Sequence, residues 1–103
     1  MAPKSPDFHL AQVADLFRLL GDATRLRVAL ACLQGPIAVG EIADALDLAP
    51  TLVSHHLRLL RAARLVVFER HGKQVLYSAA GHHVPEMLHG IIGHAVALAP
   101  DSA

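Results

Sequence analysis

The sequence predicts a mainly α-helical fold closed by a β-hairpin wing, a winged helix-turn-helix with the order α-α-α-α-β-β-α. Three observations predict it. Apolar residues recur at helical spacing through the first 60 or so residues. Two β-branched or aromatic runs then flank His71-Gly72, as a hairpin requires. The Lys and Arg residues of the second half, Arg58, Arg61, Arg64, Arg70 and Lys73, fall in one stretch, with Glu69 the only acid among them. A basic helix followed by a hairpin suits duplex DNA. The helix fits the major groove and the hairpin reaches the backbone alongside.

Each element has its own signal. From Phe8 to Leu20, Leu10, Val13, Leu16, Phe17 and Leu20 keep a helical period until Gly21 stops it. Asp22 is placed to cap a second helix with Leu26, Val28, Ala29, Leu30 and Leu33 as its apolar positions. Gly35-Pro36 ends that helix. A short third helix, Val39 to Leu46, turns Ile42, Ala43 and Leu46 inward. A fourth begins near Ala49, with Pro50 suited to its first turn. Strands are expected at Leu65–Glu69 and Gln74–Ser78, joined by a turn at His71-Gly72, and a last helix from His83 to Leu98. Helices three and four, joined by a short turn, form the helix-turn-helix.

The chain is a single domain over 1–103, with ends expected to be loose at about 1–6 and 100–103. Its formal net charge is zero, yet residues 1–47 hold six acids and four bases while residues 74–103 hold no Lys or Arg. Phosphate attraction follows the local patch more than the total. No apolar run approaches the roughly 20 residues of a membrane span, and MAPKSPDFH has no apolar signal core. The expected location is cytoplasmic. Cys32 has no second cysteine to pair with and sits on the apolar face of helix two, as a buried inert thiol does.

The fourth helix carries Val53, Leu57 and Leu60 on one face and Thr51, Ser54, His55, Arg58 and Arg61 on or near the other. Thr51, Ser54, His55 and Arg58 are the candidate readers of base edges and phosphates, arginine being the best reader of guanine. Arg70 and Lys73 flank the wing turn and suit phosphates. His56, beside the buried face, is read as structural. No nucleophile–base pair or acid pair stands out, so an enzyme is not expected.

The stretches LFRLLGDATRLRVALACL, VGEIADALDLAPTLVSHHLRLLRAARLV and RHGKQVLYSAAGHHV resemble the ArsR/SmtB family of bacterial metal-responsive regulators across about residues 10–98. The resemblance implies a homodimer joined through its first and last helices and bound to operator DNA. It also implies a metal effector. The alternative reading keeps DNA binding and drops the metal, with regulation by a partner protein or none.

Eight of the 103 residues are histidine, and His82, His83, His89 and His94 lie together near the C-terminal end. His83 and His94, 11 residues apart, share a helix face to within about 20° but are separated by about 16 Å of rise, too far for one ion. An antiparallel second copy brings His83 of one chain beside His94 of the other, with Met87, Ile91 and Leu98 as an apolar seam. This spacing matches the family's last-helix metal site. The family's outer ligands are missing, with Gly81 and Ala97 in their places. His82, Glu86, His89, Asp7 and His9 are the candidates to complete the set. A cysteine-free, imidazole-rich site suits Ni²⁺ or Zn²⁺, then Co²⁺ or Cu²⁺. The family's cysteine cluster at helix three is absent from IAVGEIADAL. A small histidine-based metal-binding protein is the rival of a different class, and the winged-helix order opposes it.

Overall fold

The computed structural model describes residues 6–98. The ends expected to be loose fall outside these residues, apart from Pro6. Helices α1 (Pro6–Leu20), α2 (Ala23–Ala31), α3 (Val39–Leu46), α4 (Pro50–Ala62) and α5 (His83–Leu98) are joined by strands β1 (Ile37–Ala38), β2 (Val66–His71) and β3 (Gln74–Ala79). The winged helix-turn-helix order is as expected, with one strand added. None of these helices is long and apolar enough to cross a membrane.

The helix ends follow capping chemistry. Asp22 accepts a hydrogen bond from the Arg25 backbone N–H at 3.0 Å, capping α2. Its carboxyl is held below the usual range first by that backbone bond and then by the Arg25 charge. Glu41 reaches back to the Ala38 N–H at 3.0 Å and starts α3. Asp47, at φ 57°, closes α3 in the left-handed region that Asp tolerates. Pro50 opens α4.

The hairpin differs from expectation by one position. His71 pairs with Gln74, so the turn is Gly72-Lys73 and both strands run longer than expected. Gly72 has φ 63°, the left-handed backbone that a two-residue hairpin loop demands. β1 was not anticipated. Its two residues carry no readable period, and only the pairing of Ile37 with Tyr77 and Ala38 with Leu76 makes them a strand. The sheet order is β1-β3-β2, all antiparallel.

Val28 and Cys32 from the second helical region, Ile42 from α3, Val53, Leu57 and Leu60 from α4 and Val84 and Leu88 from α5 form one core. Burial pushes the Cys32 thiol up to about 12, so it is a protonated packing residue. α1 packs Leu16, Leu19 and Leu20 inward but leaves Leu10 64% and Phe17 63% exposed. On α5, Met87 packs against the core, whereas Ile91 and Leu98 are exposed. Of the expected seam, Met87 is therefore largely used within the chain.

The core holds His56 as its one buried polar residue among those described, at 4% exposure. Its Nδ1 and the Nε of Arg25 find no hydrogen-bond partner. Burial first, then the Arg25 charge and His55, hold the imidazole below the ordinary 6.5, against an opposing pull from Asp22. A group depressed in this way stabilises the fold fully above the unfolded value and loses that contribution as pH falls through the folded one. The melting temperature is therefore expected to drop on acidification below about pH 6.5, and the drop should be shallower in His56→Leu. Thermal melts of both proteins from pH 7.5 to 5 check this. Parallel curves would show that His56 is not a buried neutral imidazole.

Candidate nucleic-acid interface and the last-helix histidines

The core fixes which side of α4 faces out. Val53, His56, Leu57 and Leu60 are buried, Ser54 and Leu59 half-buried, and Thr51, Leu52, His55, Arg58 and Arg61 exposed. Thr51, His55 and Arg58 lie along one outward arc, with Ser54 at its edge. Arg61 departs from the simplest expectation. Its guanidinium carbon lies 4.2 Å over the Phe68 ring, so it braces α4 against β2. Phe68 in turn stands opposite Tyr77, with ring centroids 5.8 Å apart.

The wing tip carries Arg70 and Lys73, both exposed. Glu69, the one acid nearby, is held by His71 at 3.1 Å. Among the described residues, Arg58, Arg61, Arg64, Arg70 and Lys73 form no ion pair with a carboxylate. The described bases of the first half are engaged internally. Arg18 pairs with Asp15, Arg25 donates to the Leu19 carbonyl at 2.8 Å and Arg27 donates to the Leu46 carbonyl at 3.2 Å. The last two bonds go to carbonyls in the final turns of α1 and α3, where the helix itself supplies no donor.

One exposed side chain at this surface was not anticipated, and one basic residue takes an unexpected backbone. Leu52, 40% exposed, stands beside Thr51 on α4. In the sequence it reads as one more core leucine, and only the rotation of the helix shows otherwise. Arg64 adopts a left-handed backbone, φ 62°, just past α4, a feature that composition does not signal.

His83 opens α5 and His94 lies near its end, both exposed. Glu86 is one turn from His83, whereas His89 lies about 120° around the helix from it. His82 precedes the helix. The His83 ring leans over Gly81, where an added Cβ would meet Nδ1 at 3.3 Å. It also shares a groove with Arg61 and Arg64. Asp7 falls within α1, but its side chain is outside the described residues; His9 is exposed on the same helix. No three His, Cys, Asp or Glu side chains among the described residues are grouped to hold a metal within one chain. His83, His94 and Glu86 are donors of a suitable type, but the two histidines stand about 16 Å apart along one helix, and the neighbouring guanidiniums oppose a dication.

Comparison with known proteins agrees with this architecture. The model of the bacterial regulatory protein arsR family matches residues 22–67, the helix-turn-helix and the start of the wing. The chain is 35% identical over 94 residues to the transcriptional repressor SmtB of Mycobacterium tuberculosis, covering 90% of this chain and 70% of that one. It is 37% identical over 83 residues to an SmtB homolog of Synechocystis sp., covering 81% of this chain but only 63% of the relative's length. A homodimeric winged helix-turn-helix DNA-binding domain from Mycobacterium bovis superposes with a TM-score of 0.85 at 29% identity, over 97% of this chain and 94% of that domain. With its fold, its helix-turn-helix and its relatives in agreement, the chain belongs to the ArsR/SmtB family of bacterial transcriptional regulators and is not an enzyme.

Proposed function

We propose that this chain works as a homodimer that binds operator DNA sequence-specifically through α4 and the wing. In this reading a first-row transition metal held at α5 across the dimer tunes the affinity, Ni²⁺ or Zn²⁺ foremost and Co²⁺ or Cu²⁺ next. The observation that carries the DNA reading is the set of five bases on α4, the wing and the segment between them, which have no acidic partner among the described residues. Thr51, Ser54, His55 and Arg58 face base edges and phosphates, and Arg70 and Lys73 hold the backbone. Arg61 contributes by steadying the wing.

The dimer is supported by the exposed apolar faces of α1 and α5 and by the homodimeric relative. The metal reading is supported by the shared face of His83 and His94 and by kinship with SmtB repressors. A bound ion would supply a bridge between the two last helices. His83 of one chain and His94 of the partner subunit would then fix the relative angle of the subunits, and with it the spacing of the two α4 helices. Metal and DNA affinities are then coupled reciprocally, typically by about 1–3 kcal/mol. The second reading keeps DNA binding without a metal response, under a partner protein. Gly81, Ala97 and the arginines beside His83 favour it.

Three measurements test these readings. Light scattering at micromolar concentration should return twice the 11.0 kDa chain mass; a monomer mass ends the dimer reading. Arg58→Ala should weaken binding to a selected operator by about 1–3 kcal/mol and relax its sequence preference, whereas Lys73→Ala should weaken all duplexes alike and lower the salt slope by about one. Unchanged binding by both variants would place the DNA surface elsewhere. Calorimetry should find one metal ion per chain, weakened by acid because imidazole ligates only when neutral. His83→Ala and His94→Ala should each lower affinity, and together cost far less than their sum, since both act on one centre. His55→Ala should leave metal binding intact. Parental affinity in both variants would move the site to Asp7 and His9.

A further inference from the structure

We propose that the groove at the base of the wing is a binding site for a small amphipathic organic anion, a carboxylate on an apolar body. The groove, about 770 Å³, lies where the end of α4, the start of β2 and the start of α5 meet. It is lined by Arg61, Arg64 and His83 and by Val66, Val67, Phe68 and Ala80. Among the described residues, no carboxylate lines it. The two guanidiniums select an anion. Val67 is exposed beside them, and a ligand's apolar body would remove it from water. A bare inorganic anion would meet the guanidiniums and leave Val67 wet.

Arg64 supplies an independent observation. Its N–H donates to the Arg61 carbonyl at 2.9 Å, and the Leu65 N–H donates to the Leu60 carbonyl at 3.0 Å. This is the helix-ending pattern in which the left-handed residue is usually glycine, because a Cβ there is strained. Here that residue is Arg64, at φ 62°. Its side chain makes no hydrogen bond or ion pair among the described residues that would offset the strain. A guanidinium kept at a position that favours glycine points to use of the charge. Arg64 also borders a hollow against α1, but the acid there, Asp15, is already held by Arg18 at 2.6 Å. The site does not require metal at His83, because Arg61 and Arg64 carry its charge.

The test titrates benzoate, inorganic phosphate and a duplex oligonucleotide separately into the full chain and its Arg64→Gly variant. The readouts are the NMR shifts of the Phe68 ring and the Val66 and Val67 methyls, with thermal melts alongside. Benzoate should bind the parent saturably, about tenfold or more tighter than phosphate. Arg64→Gly should melt at a higher temperature yet lose benzoate affinity by about tenfold or more. The proposal is overturned by no saturable benzoate shift, by equal affinity for phosphate, or by undiminished benzoate binding in Arg64→Gly. It is equally overturned if Arg64→Gly melts lower than the parent, which would make Arg64 structural. Loss of duplex binding in the variant, with no benzoate response in the parent, would make the groove a DNA phosphate contact and end the proposal.

Discussion

Val53, Leu57 and Leu60 of α4 are fully buried in one core with Val28, Cys32 and Ile42. Truncating one such side chain to alanine costs about 2–5 kcal/mol, a large share of the 5–15 kcal/mol that holds a typical domain together. The same packing sets the rotation of the helix. Successive residues turn by about 100°, so burying these three leaves Thr51, His55 and Arg58 on the outward arc. The surface proposed to meet DNA is thus a consequence of the core. His56 sits at the margin of the buried face, a polar group whose neutral form burial favours.

Charge is partitioned along the chain in the same way. Arg25 and Arg27 end on the carbonyls of Leu19 and Leu46, at the C-terminal ends of α1 and α3. Asp22 is held ionised by the backbone it caps. These groups tie α1, α2 and α3 together and add little field outside. Arg58, Arg70 and Lys73 have no such engagement among the described residues. Salt screens exposed charges beyond about 8–10 Å, so for a phosphate near the wing the local bases weigh more than the total charge of the chain. A net charge of zero is compatible with a strongly attractive patch.

Most of this was legible in the sequence because the signals were local. The bounds of α3 and the start of α5 follow from Leu46 before Asp47 and from the histidine-rich run after Gly81, and the Asp22 cap from an acid ahead of an apolar period. The hairpin turn was misplaced by one residue because Gly72 fits either end of a two-residue loop, and only the His71–Gln74 pairing decides between them. β1 owes its existence to Tyr77 and Leu76, some 40 residues away. Arg64 was legible as a charge but not as a left-handed residue, since φ is set by the Leu65–Leu60 bond. Leu52 escaped notice because leucine on a helix reads as core until its neighbours fix the rotation. The metal-site reading depended on a second copy, which one chain's periodicity does not contain.

The apolar faces left outside α1 and α5 link these parts. Phe17, Leu20, Leu26, Leu88 and Ile91 line a hollow of about 150 Å³ between the two helices, and Leu10, Phe17 and Leu98 lie open to water. A chain 22 Å thin in its shortest dimension has little more of its own to cover them, and on the proposed dimeric reading a second copy does so. α5 then carries three things at once. Val84 and Leu88 anchor it in the core, His83 touches the groove beside Arg61 and Phe68, and His94 stands about 16 Å further along the same rod. A helix anchored in this way does not bend to suit one end alone. On the dimeric reading, an occupant of the wing groove and an ion shared between subunits act on one lever. The Arg61–Phe68 contact is where that lever meets the helix that would read DNA.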